Sequence, residues 1–513
     1  MNTQQIPLFP PRSLEELVND IEMLTAEIQE LYCQDSLPWI IGYSGGKDSS
    51  CILQLIWNAI ASLPENKRHK KIYIITTDTQ VENPVVAHWV KNCLERIKKT
   101  AQEKNMPFEP HLIYPAVKNT FWVCLIGKGY PAPRNGFRWC TERMKIQPAE
   151  NFIKENVRCY GEVILVLGTR KAESITRARS MEKHAKGRFR ERLNINSRLP
   201  NSYIYTPIED WRTDEVWLYL LQYQNPWGGD NQDLFTLYRG ATADNECPLV
   251  VDTSTPSCGD SRFGCWVCTM VSKDKSMEAM IQNDEDKDWL QPLLDLRNEL
   301  DIRDDKDKRD FRRIYGKVEL FTRNNGEEES IQPIHGPYLK QWREYWLRKL
   351  LEAQVSVQKN APPQFQNLEL ITTEELSEIR RIWLEEKHEF EDSLPRIYQE
   401  VTGKEFFDPR VGAGNNLLGS EEWQLLEELC DGDAMHLELM TKLLDIERQF
   451  FTKVRRVGIY QALEKCFETS SRSQEDAIAN AKYIQEVKEA AKSGDVKTLQ
   501  QKLTWGSLKF TKS

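Results

Sequence analysis

Apolar residues recur along the N-terminal half of the chain in two alternating patterns. Between Ser13 and Leu31 they fall at steps of three and four residues, which predicts an amphipathic helix that Ser13 can cap. Short apolar runs, too brief for helices, follow at 39–43, 72–75, 111–114 and 163–167. Strands that alternate with helices in this way predict an α/β fold on a doubly wound, mostly parallel sheet.

Polar stretches follow three of these predicted strands. Ser44–Ser49 follows the first strand, Asp78 the second, and Gly168-Thr169-Arg170 the fourth. Ligands of open parallel sheets bind beyond the carboxyl ends of the strands, so we expect the three stretches to converge on one crevice.

The C-terminal part has a different pattern. Past residue 340 it becomes mostly helical, and a proline pair at 362–363 indicates a linker. We therefore divide the chain into an N-terminal helix at 1–34, an α/β domain at 35–240, a cysteine-rich segment at 241–275 and a mainly α-helical C-terminal extension at 276–513.

Composition is typical of a globular protein with large cores, since 40% of the 513 residues are hydrophobic and 29% are charged. No apolar stretch approaches the roughly 20 residues that a membrane helix needs, and the N-terminus lacks the regions of a signal peptide. We therefore expect a cytoplasmic protein with no membrane partner. Its 12 cysteines are then thiols or metal ligands rather than disulfides.

The net charge of −9 gives the chain no general attraction for nucleic acid, so DNA binding would need a local patch or a partner subunit. One basic stretch exists at 169–192, where nine Lys and Arg residues are accompanied by three Glu. Either this stretch follows phosphates, with Phe189 available for stacking, or it is a solvated loop.

The stretch Ser44–Ser49 has the chemistry of a phosphate-binding loop. Its two glycines permit close backbone approach, and the N–H groups of the turn and of the following helix form a concave set of donors. Lys47 adds positive charge. A Walker loop is excluded, because Ile41 occupies the place of its first glycine and Asp48 follows the lysine. An ordinary glycine turn is the alternative.

A second candidate site consists of Cys258, Cys265 and Cys268, where glycines lie between the thiols and the last two cysteines form a C-x-x-C pair. Such a pair can chelate a metal from a single turn. Cys140 is a distant fourth ligand, and Cys247 is an alternative fourth ligand or a sulfur-handling thiol. Spacing alone leaves a [4Fe–4S] cluster, a structural zinc and unmetallated thiols all open.

The loop sequence SGGKDS resembles the PP-loop ATP pyrophosphatase superfamily, and residues 35–270 are similar to its phosphoadenosine phosphosulfate reductase branch. The further strings that carry the resemblance are Thr77-Asp78-Thr79 with Glu82-Asn83-Pro84, Trp139-Cys140 with Arg143, Lys145 and Pro148, Gly168-Thr169-Arg170 with Glu173, Ser174 and Arg177, and Pro207-Ile208 with Trp211. Four matches in order are far more specific than one.

This resemblance implies that residues 35–240 bind ATP with Mg²⁺. It implies contacts with the nucleotide from Ser44, Gly45, Gly46, Lys47, Asp48, Ser49, Asp78 and Gly168. Lys47 would stabilise charge on departing pyrophosphate, Asp48 would help to hold Mg²⁺, and Asp78 would orient the nucleotide. Arg170 and Arg177 would clamp the α-phosphate or a substrate phosphate, because a guanidinium offers paired planar donors.

The resemblance also favours iron over zinc. It implies a [4Fe–4S] cluster on Cys140, Cys258, Cys265 and Cys268. True reductases of the branch have tandem cysteines where this chain has Trp139-Cys140, and they end in an E-C-G-x-H nucleophile motif that this sequence lacks. Without that thiol, reduction of an adenylyl sulfate has no attacking group.

The remaining features are most similar to the DndC family, the PP-loop subunit of bacterial DNA phosphorothioation systems. That similarity implies that ATP is cleaved to AMP and pyrophosphate to adenylate a DNA phosphate, after which sulfur replaces a non-bridging oxygen. It implies DNA, a cysteine desulfurase as sulfur donor and other phosphorothioation subunits as partners. The alternatives are a sulfonucleotide reductase, a tRNA-thiolating PP-loop enzyme, and a nonenzymatic nucleotide switch with bound zinc.

Overall fold

The computed structural model describes residues 12–173, 178–179, 181–182, 192–242, 263–313, 316–324, 329–389, 391–408, 420–451, 456–470 and 473–495. The chain divides into two compact units. The sheet unit comprises Met1–Phe121, Pro133–Asp301 and Ala353–Leu370, and the helical unit comprises Trp122–Ala132, Ile302–Glu352 and Ile371–Ser513.

A six-stranded sheet forms the centre of the sheet unit. Its strands are β1 Trp39–Gly42, β2 Ile72–Thr77, β3 Phe108–Ile113, β4 Val163–Val166, β5 Asn194–Ile195 and β6 Ser202–Tyr205. They are ordered β3-β2-β1-β4-β6-β5, and every neighbouring pair is parallel except β5 with β6. Trp39 pairs with Ile72 of β2 and with Ile164 of β4, so β1 lies in the middle of the sheet.

Helices cover both faces of this sheet. The helices of the sheet unit are α1 Leu14–Gln34, α2 Lys47–Ala61, α3 Pro84–Glu103, α4 Gln147–Tyr160, α5 Thr213–Gln222, α6 Asn231–Gly240, α7 Lys275–Asn283 and α8 Gln291–Leu300. Successive strand residues point to opposite faces, so Trp39 and Ile41 enter the larger core with α1, α2 and α3. Ile40 enters the smaller core with Ile153 of α4. The sheet is therefore doubly wound.

The predicted N-terminal helix is present with its cap. The Ser13 hydroxyl accepts a hydrogen bond from the Glu16 N–H at 3.2 Å, and the Glu16 carboxylate accepts one from the Ser13 N–H. This reciprocal pair satisfies two N–H groups that the helix start leaves without backbone partners. Leu17 and Ile28 are buried on the face turned towards the sheet unit's larger core.

The strands differ from the sequence prediction at β3, β5 and β6. β5 was not predicted, because its two residues are too few to form a pattern. β3 begins at Phe108, three positions before the predicted run, and contains Pro110. A proline is tolerated there because β3 is an edge strand, where its missing N–H removes no bond from a central ladder. β6 was not predicted, because its apolar run, Tyr203-Ile204-Tyr205, is too short to be distinctive.

The helical unit contains an antiparallel hairpin of β7 Leu320–Asn324 and β8 Glu329–Pro333. The remaining helices are α9 Lys340–Asn360, α10 Thr373–Arg381, α11 Ser393–Thr402, α12 Ser420–Leu429, α13 Ala434–Phe451, α14 Ile459–Thr469 and α15 Gln474–Ser493. The predicted α/β fold with a mostly parallel sheet and a mainly helical C-terminal extension is confirmed. Within the described residues, no helix combines the length and apolar character needed to cross a membrane.

Candidate functional site

The loop Ser44–Ser49, called the phosphate loop below, joins β1 to α2 at the carboxyl edge of the sheet. Helix α2 begins at Lys47, and its N-cap is Gly46, which has no side chain to bond the first helical N–H groups. The start of a helix leaves several backbone donors without helical partners and carries a partial positive charge. These two properties make the phosphate loop suited to an anion.

Gly45 fixes the path of the loop. Its φ is +72°, a conformation that L side chains rarely adopt. A methyl group at this position would also overlap Cγ2 of Val90 on α3. Backbone conformation and close packing therefore both require glycine here.

Ser49 closes the loop with its hydroxyl. This hydroxyl donates to the Gly46 carbonyl at 3.0 Å and accepts from the Ser44 N–H at 3.2 Å. The Ser44 and Ser49 hydroxyl oxygens are 3.3 Å apart. Because Ser49 is buried, these bonds are shielded from water and hold the loop in one shape.

Asp48 lies between two cations. Its Oδ1 accepts from Nε of Arg170 at 2.7 Å, and its Oδ2 lies 3.2 Å from Nζ of Lys47. A carboxylate oxygen is a preferred ligand of Mg²⁺, so Asp48 fits that metal chemically, although both of its oxygens already have cationic neighbours.

Arg170 is only 1% exposed, and its whole guanidinium is engaged within the protein. Besides Asp48, it donates to the Trp211 carbonyl at 3.1 Å and to the Thr213 hydroxyl at 3.3 Å. This geometry makes Arg170 a residue that positions Asp48. Its predicted role as a phosphate clamp stays a prediction, and the second predicted clamp, Arg177, lies outside the described residues.

The other predicted nucleotide contacts lie at the ends of neighbouring strands. A Cβ on Gly168, just after β4, would be 2.9 Å from the Asp48 carbonyl oxygen, so glycine permits close approach to the phosphate loop. Asp78 follows β2, and its carboxylate accepts from the Gln80 N–H at 2.8 Å and lies 3.7 Å from Nζ of Lys91. The structure thus brings all three predicted stretches to one edge of the sheet.

Two aromatic residues that contact the loop were not predicted from the sequence. The backbone N–H of Lys47 donates to the Tyr238 hydroxyl at 3.4 Å. The side-chain ammonium of Lys47 lies 5.4 Å from the centre of the Tyr238 ring. Trp89 on α3 donates from Nε1 to the Gly45 carbonyl at 3.3 Å. Tyr238 is 191 positions from Lys47, and no motif near it signals the contact.

The C-x-x-C pair lies against the segment that follows β2. Glu82 and Cys265 form an antiparallel bridge, and the Trp266 N–H donates to the Val81 carbonyl at 2.9 Å. The Cys268 N–H donates to the Cys265 carbonyl at 3.0 Å, which closes the turn between the two thiols. These contacts carry the cysteines to the strand end beside the phosphate loop.

The thiol of Cys265 is surrounded by polar groups. Its Sγ lies 3.4 Å from Oγ1 of Thr79 and 3.6 Å from Oε1 of Glu82, which also lies 3.3 Å from Nζ of Lys145. Burial and the negative charge of Glu82, opposed by the positive charge of Lys145, together raise the pKa of Cys265 to about 12. Without a bound metal, the thiol is therefore protonated at neutral pH.

Cys140 immediately precedes a π-helical turn, Thr141–Ile146, a local geometry often found at functional sites. Burial raises the pKa of Cys140, and the charge of Cys268 contributes to the rise. Cys268 has the same effect on Cys265, so these three predicted ligands are electrostatic neighbours. The predicted ligand Cys258 and the alternative Cys247 lie outside the described residues.

The three thiols fit a metal or cluster in chemical type but do not complete a ligand set. In the part of the chain that the structure describes, no group of three or more His, Cys, Asp or Glu residues is arranged to hold a metal ion. Lys145 places a positive charge beside Cys265, which suits a thiolate or an anionic cluster. The cluster and its four ligands therefore stay a prediction.

Arg297 on α8 holds the segment after the C-x-x-C pair and was also missed by sequence. It is 1% exposed, and its guanidinium donates to the carbonyls of Cys268 at 3.1 Å, Ser272 at 3.2 Å and Val271. A lone arginine in a charged helix gives no sequence signal, because only the fold places it beside residues 29 positions earlier.

The model of the phosphoadenosine phosphosulfate reductase domain matches residues 38–229. This stretch is a phosphoadenosine phosphosulfate reductase-like PP-loop domain. The reductase-like domain includes the phosphate loop, Asp78, Cys140 and Arg170, while Cys265 and Cys268 lie beyond its end. It covers less than half of the chain.

Two uncharacterized proteins of Methanocaldococcus jannaschii are similar to part of the chain. One is 28% identical over 200 residues, which are 39% of this chain and 35% of that protein. The other is 28% identical over 178 residues, which are 35% of this chain and 34% of that protein. The chain thus spans about a third of the length of these relatives.

Solved structures resemble the chain more weakly. A phosphoadenylyl-sulfate reductase of Candida auris in a phosphate complex is 13% identical with a TM-score of 0.25, covering 42% of this chain and 88% of its own. The U34-tRNA thiolase NcsA of Methanococcus maripaludis, with its [4Fe-4S] cluster, is 12% identical with a TM-score of 0.27, covering 56% of this chain and 80% of its own. At these TM-scores neither resemblance specifies a substrate.

Proposed function

We propose that the chain is a PP-loop ATP pyrophosphatase that acts as the sulfurtransferase subunit of a DNA phosphorothioation system. In this proposal it cleaves ATP to AMP and pyrophosphate and adenylates a DNA backbone phosphate. Sulfur then replaces one non-bridging oxygen of that phosphate. Labelled AMP as the product of ATP is the outcome on which the proposal depends.

One observation carries the proposal. Cys265 lies 3.4 Å from Thr79, the residue directly after Asp78 at the end of β2, while the phosphate loop follows the neighbouring strand β1. A loop with the chemistry for phosphate and a half-buried pair of thiols therefore occupy adjacent strand ends. This arrangement supports activation by ATP and handling of sulfur within one edge of the sheet.

Adenylation solves a chemical problem in replacing a phosphate oxygen. The non-bridging oxygen of a phosphodiester is a very poor leaving group, whereas AMP leaves readily. In the first step a DNA phosphate oxygen attacks the α-phosphorus of ATP, and the bond to pyrophosphate breaks. In the second step sulfur at the oxidation level of sulfide attacks the DNA phosphorus, and the oxygen departs with AMP. Because a desulfurase delivers persulfide sulfur, a thiol reductant must supply the two electrons that bring the sulfur to this level.

The residues of the phosphate loop have separate parts in the first step. Its N–H groups and Lys47 would stabilise the charge that develops on departing pyrophosphate. Asp48, held by Arg170, would share a Mg²⁺ ion bound to the phosphates. Gly45 and Ser49 keep the loop in the shape that these contacts need.

The thiols belong to the second step. Cys140, Cys265 and Cys268, with Cys258 as the fourth residue, would hold a [4Fe–4S] cluster, which would supply a site where sulfur is bound before transfer. Lys145 beside Cys265 would stabilise negative charge on sulfur there. Support for DNA as the substrate comes from the resemblance to the DndC family and from the basic stretch at 169–192. A cysteine desulfurase and other phosphorothioation subunits are the proposed partners.

The test is to incubate anaerobically purified protein with α-³²P-labelled ATP and Mg²⁺, with and without duplex DNA. We expect labelled AMP, more of it with DNA than without, and none from Lys47→Ala. The matched control is Lys71→Ala, which removes an exposed lysine from the same unit, with an ion pair to Glu109 and no contact with the loop.

Four other results would count against the proposal. Labelled ADP as the product, or no turnover of ATP with or without DNA, would refute adenylation by this chain alone. If tRNA instead of DNA stimulated the formation of AMP, the result would favour a tRNA-thiolating enzyme. Release of sulfite from a sulfonucleotide in the presence of thiol, without cleavage of ATP, would favour the reductase.

A further inference from the structure

A cavity of about 1270 Å³ opens on the sheet unit, and its walls include none of the residues 44–49, Asp78 or the described candidate cysteines. It lies among α3, α6, the segment 284–295 and the segment 360–365. Nothing in the proposed ATP and sulfur chemistry uses it. The volume exceeds the roughly 300–1,000 Å³ typical of small-molecule sites.

Aromatic rings form one wall of this cavity. Trp289 stacks on Phe365 with ring centres 4.8 Å apart, and the His88 ring meets Phe365 edge-on at 5.2 Å. Trp89 also lines the cavity. Trp289 and Phe365 are buried against each other, whereas Trp89 is half-buried, so the Trp89 ring is the one that an occupant can contact. The face of a Trp ring attracts guanidinium and ammonium groups more strongly than that of any other side chain.

Carboxylates also line the cavity. They belong to Asp233, Asp284, Glu285, Asp286, Asp288 and Asp295. Among the lining residues that the structure describes, the one lysine or arginine is Lys287, and its ammonium lies 2.7 Å from the Asp284 carboxylate. The cavity is therefore strongly negative, which repels nucleic acid and ATP and attracts cations.

We propose that this acidic cavity binds a lysine- and arginine-rich peptide segment of a partner protein. The Trp89 ring and the carboxylates are different features that select the same chemical groups, guanidinium and ammonium. The carboxylates lie on α6 and along 284–295, so they suit several cationic side chains in succession better than a single small cation. The volume agrees with a peptide segment.

The cavity is mechanically connected to the phosphate loop. Trp89 lines the cavity and donates to the Gly45 carbonyl, while Leu237 lines it next to Tyr238, whose hydroxyl lies beside Lys47. An occupant that shifts Trp89 therefore acts on the loop. This coupling rests on the proposed function of the loop, whereas the binding site itself does not.

The test measures the anisotropy of a fluorescently labelled peptide of alternating Arg and Ser, titrated with the full chain. We expect saturable binding at one peptide per chain. Asp286→Asn combined with Asp288→Asn should weaken it by about tenfold, or about 1.4 kcal/mol, because two carboxylates of the cavity are lost. Glu65→Gln combined with Glu103→Gln is the matched control, since it removes the same charge from exposed positions outside the cavity and should leave affinity unchanged.

Several results would overturn the proposal. Absence of saturable binding would do so, and so would equal weakening by the control pair, which would mean that the peptide senses only overall charge. Spermine that binds with the same affinity and the same sensitivity to Asp286 and Asp288 would assign the cavity to small polyamines instead.

A second measurement tests the coupling separately. We expect a non-hydrolysable ATP analogue to change peptide affinity by about threefold or more, and Trp89→Phe to reduce that change while keeping the ring. If the analogue does not bind at all, the proposed function of the loop fails, yet the peptide titration still decides the cavity. If the analogue binds and peptide affinity does not change, the coupling is wrong.

Discussion

The phosphate loop and the stretch 265–268, called the cysteine segment below, lie at adjacent strand ends of one sheet but are built in opposite ways. Residues 44–49 form the loop as a continuous stretch, and its shape follows from Gly45 and the Ser49 hydroxyl. The cysteine segment draws on distant parts of the chain, since Cys265 meets Thr79, Glu82 and Lys145. A continuous site is fixed by local geometry, whereas a dispersed site depends on the whole fold.

The two regions also differ in electrostatics. The loop offers a helix N-terminus and Lys47, so it suits an anion without any change of protonation. Burial keeps Cys265 protonated, so binding of a metal there must release a proton. The shape of the loop is therefore fixed before any anion binds, whereas a metal at Cys265 would first have to displace the thiol proton.

The largest expected effect comes from Asp48→Asn, which breaks the preformed loop at its charged centre. It leaves the buried Arg170 guanidinium without its carboxylate, so unfolding free energy should fall by about 3 kcal/mol. Formation of AMP should fall by about 100-fold or more. Urea unfolding and the labelled-ATP assay measure these effects.

Asp78→Asn is the control for that variant, because it removes a carboxylate from the same edge of the sheet, where Asn can still accept from the Gln80 N–H. Its unfolding free energy should change by less than about 1 kcal/mol. If both variants unfold at the same urea concentration as the original chain, Arg170 does not depend on Asp48, and the loop is less fixed than the comparison holds.

Gly45→Ala tests whether packing or backbone conformation fixes the loop. The free energy of unfolding of this variant should fall by about 2 kcal/mol, because the new methyl group overlaps Val90 and the φ of residue 45 is +72°. Gly136→Ala isolates the second cause, since φ is +86° there but nothing lies within 4 Å of the added Cβ. It should lose about 1 kcal/mol. Equal losses in thermal or urea unfolding would mean that Val90 yields and packing contributes nothing.

The same contrast explains how much sequence alone could predict. The convergence of the loop, Asp78 and Gly168 could be predicted because spacing within a strand-loop-helix unit is local and the carboxyl ends of parallel strands share an edge. Tyr238 and Trp89 were not found, because their contacts with the loop come from tertiary packing. β6 was missed because a run of three apolar residues carries too little periodicity to mark a strand.

The cysteine segment was predicted in its composition but not in its surroundings. The C-x-x-C spacing pointed to Cys265 and Cys268, and the strings of the reductase branch pointed to Cys140. No spacing rule connects these thiols with Arg297, which reaches the Cys268 carbonyl from α8. Dispersed partners of this kind become visible only when the chain is folded.

Arg297→Lys tests the cysteine segment, whose contacts come from distant parts of the chain. Lysine keeps the charge but cannot reach three carbonyls at once, so the segment around Cys268 should loosen. Metal affinity of anaerobically prepared protein should fall by about tenfold, the usual effect of losing an outer contact of a metal site. Iron and zinc content and the visible absorption spectrum provide the measurements.

Arg343→Lys is the matched control for Arg297, because Arg343 is a buried arginine of the helical unit that bonds Glu389 and the Tyr338 carbonyl. It should lower stability to a similar degree and leave metal content unchanged. If both variants lose metal equally, general destabilisation explains the loss, and Arg297 has no specific role at the cysteines.

The smallest expected effect is that of Ser49→Ala, which removes the hydroxyl that closes the phosphate loop. The Ser44 N–H and the Gly46 carbonyl both lose a partner, so stability should fall by about 1 kcal/mol. Ser50→Ala removes a neighbouring buried hydroxyl, which bonds Tyr43 instead, and should lower stability by about the same amount.

ATP affinity measured by calorimetry distinguishes the Ser49 and Ser50 variants. It should fall about tenfold for Ser49→Ala alone, because only that variant releases the loop from its preformed shape. If both variants keep full affinity, the backbone alone holds the loop, and the loop is preformed even without its serine.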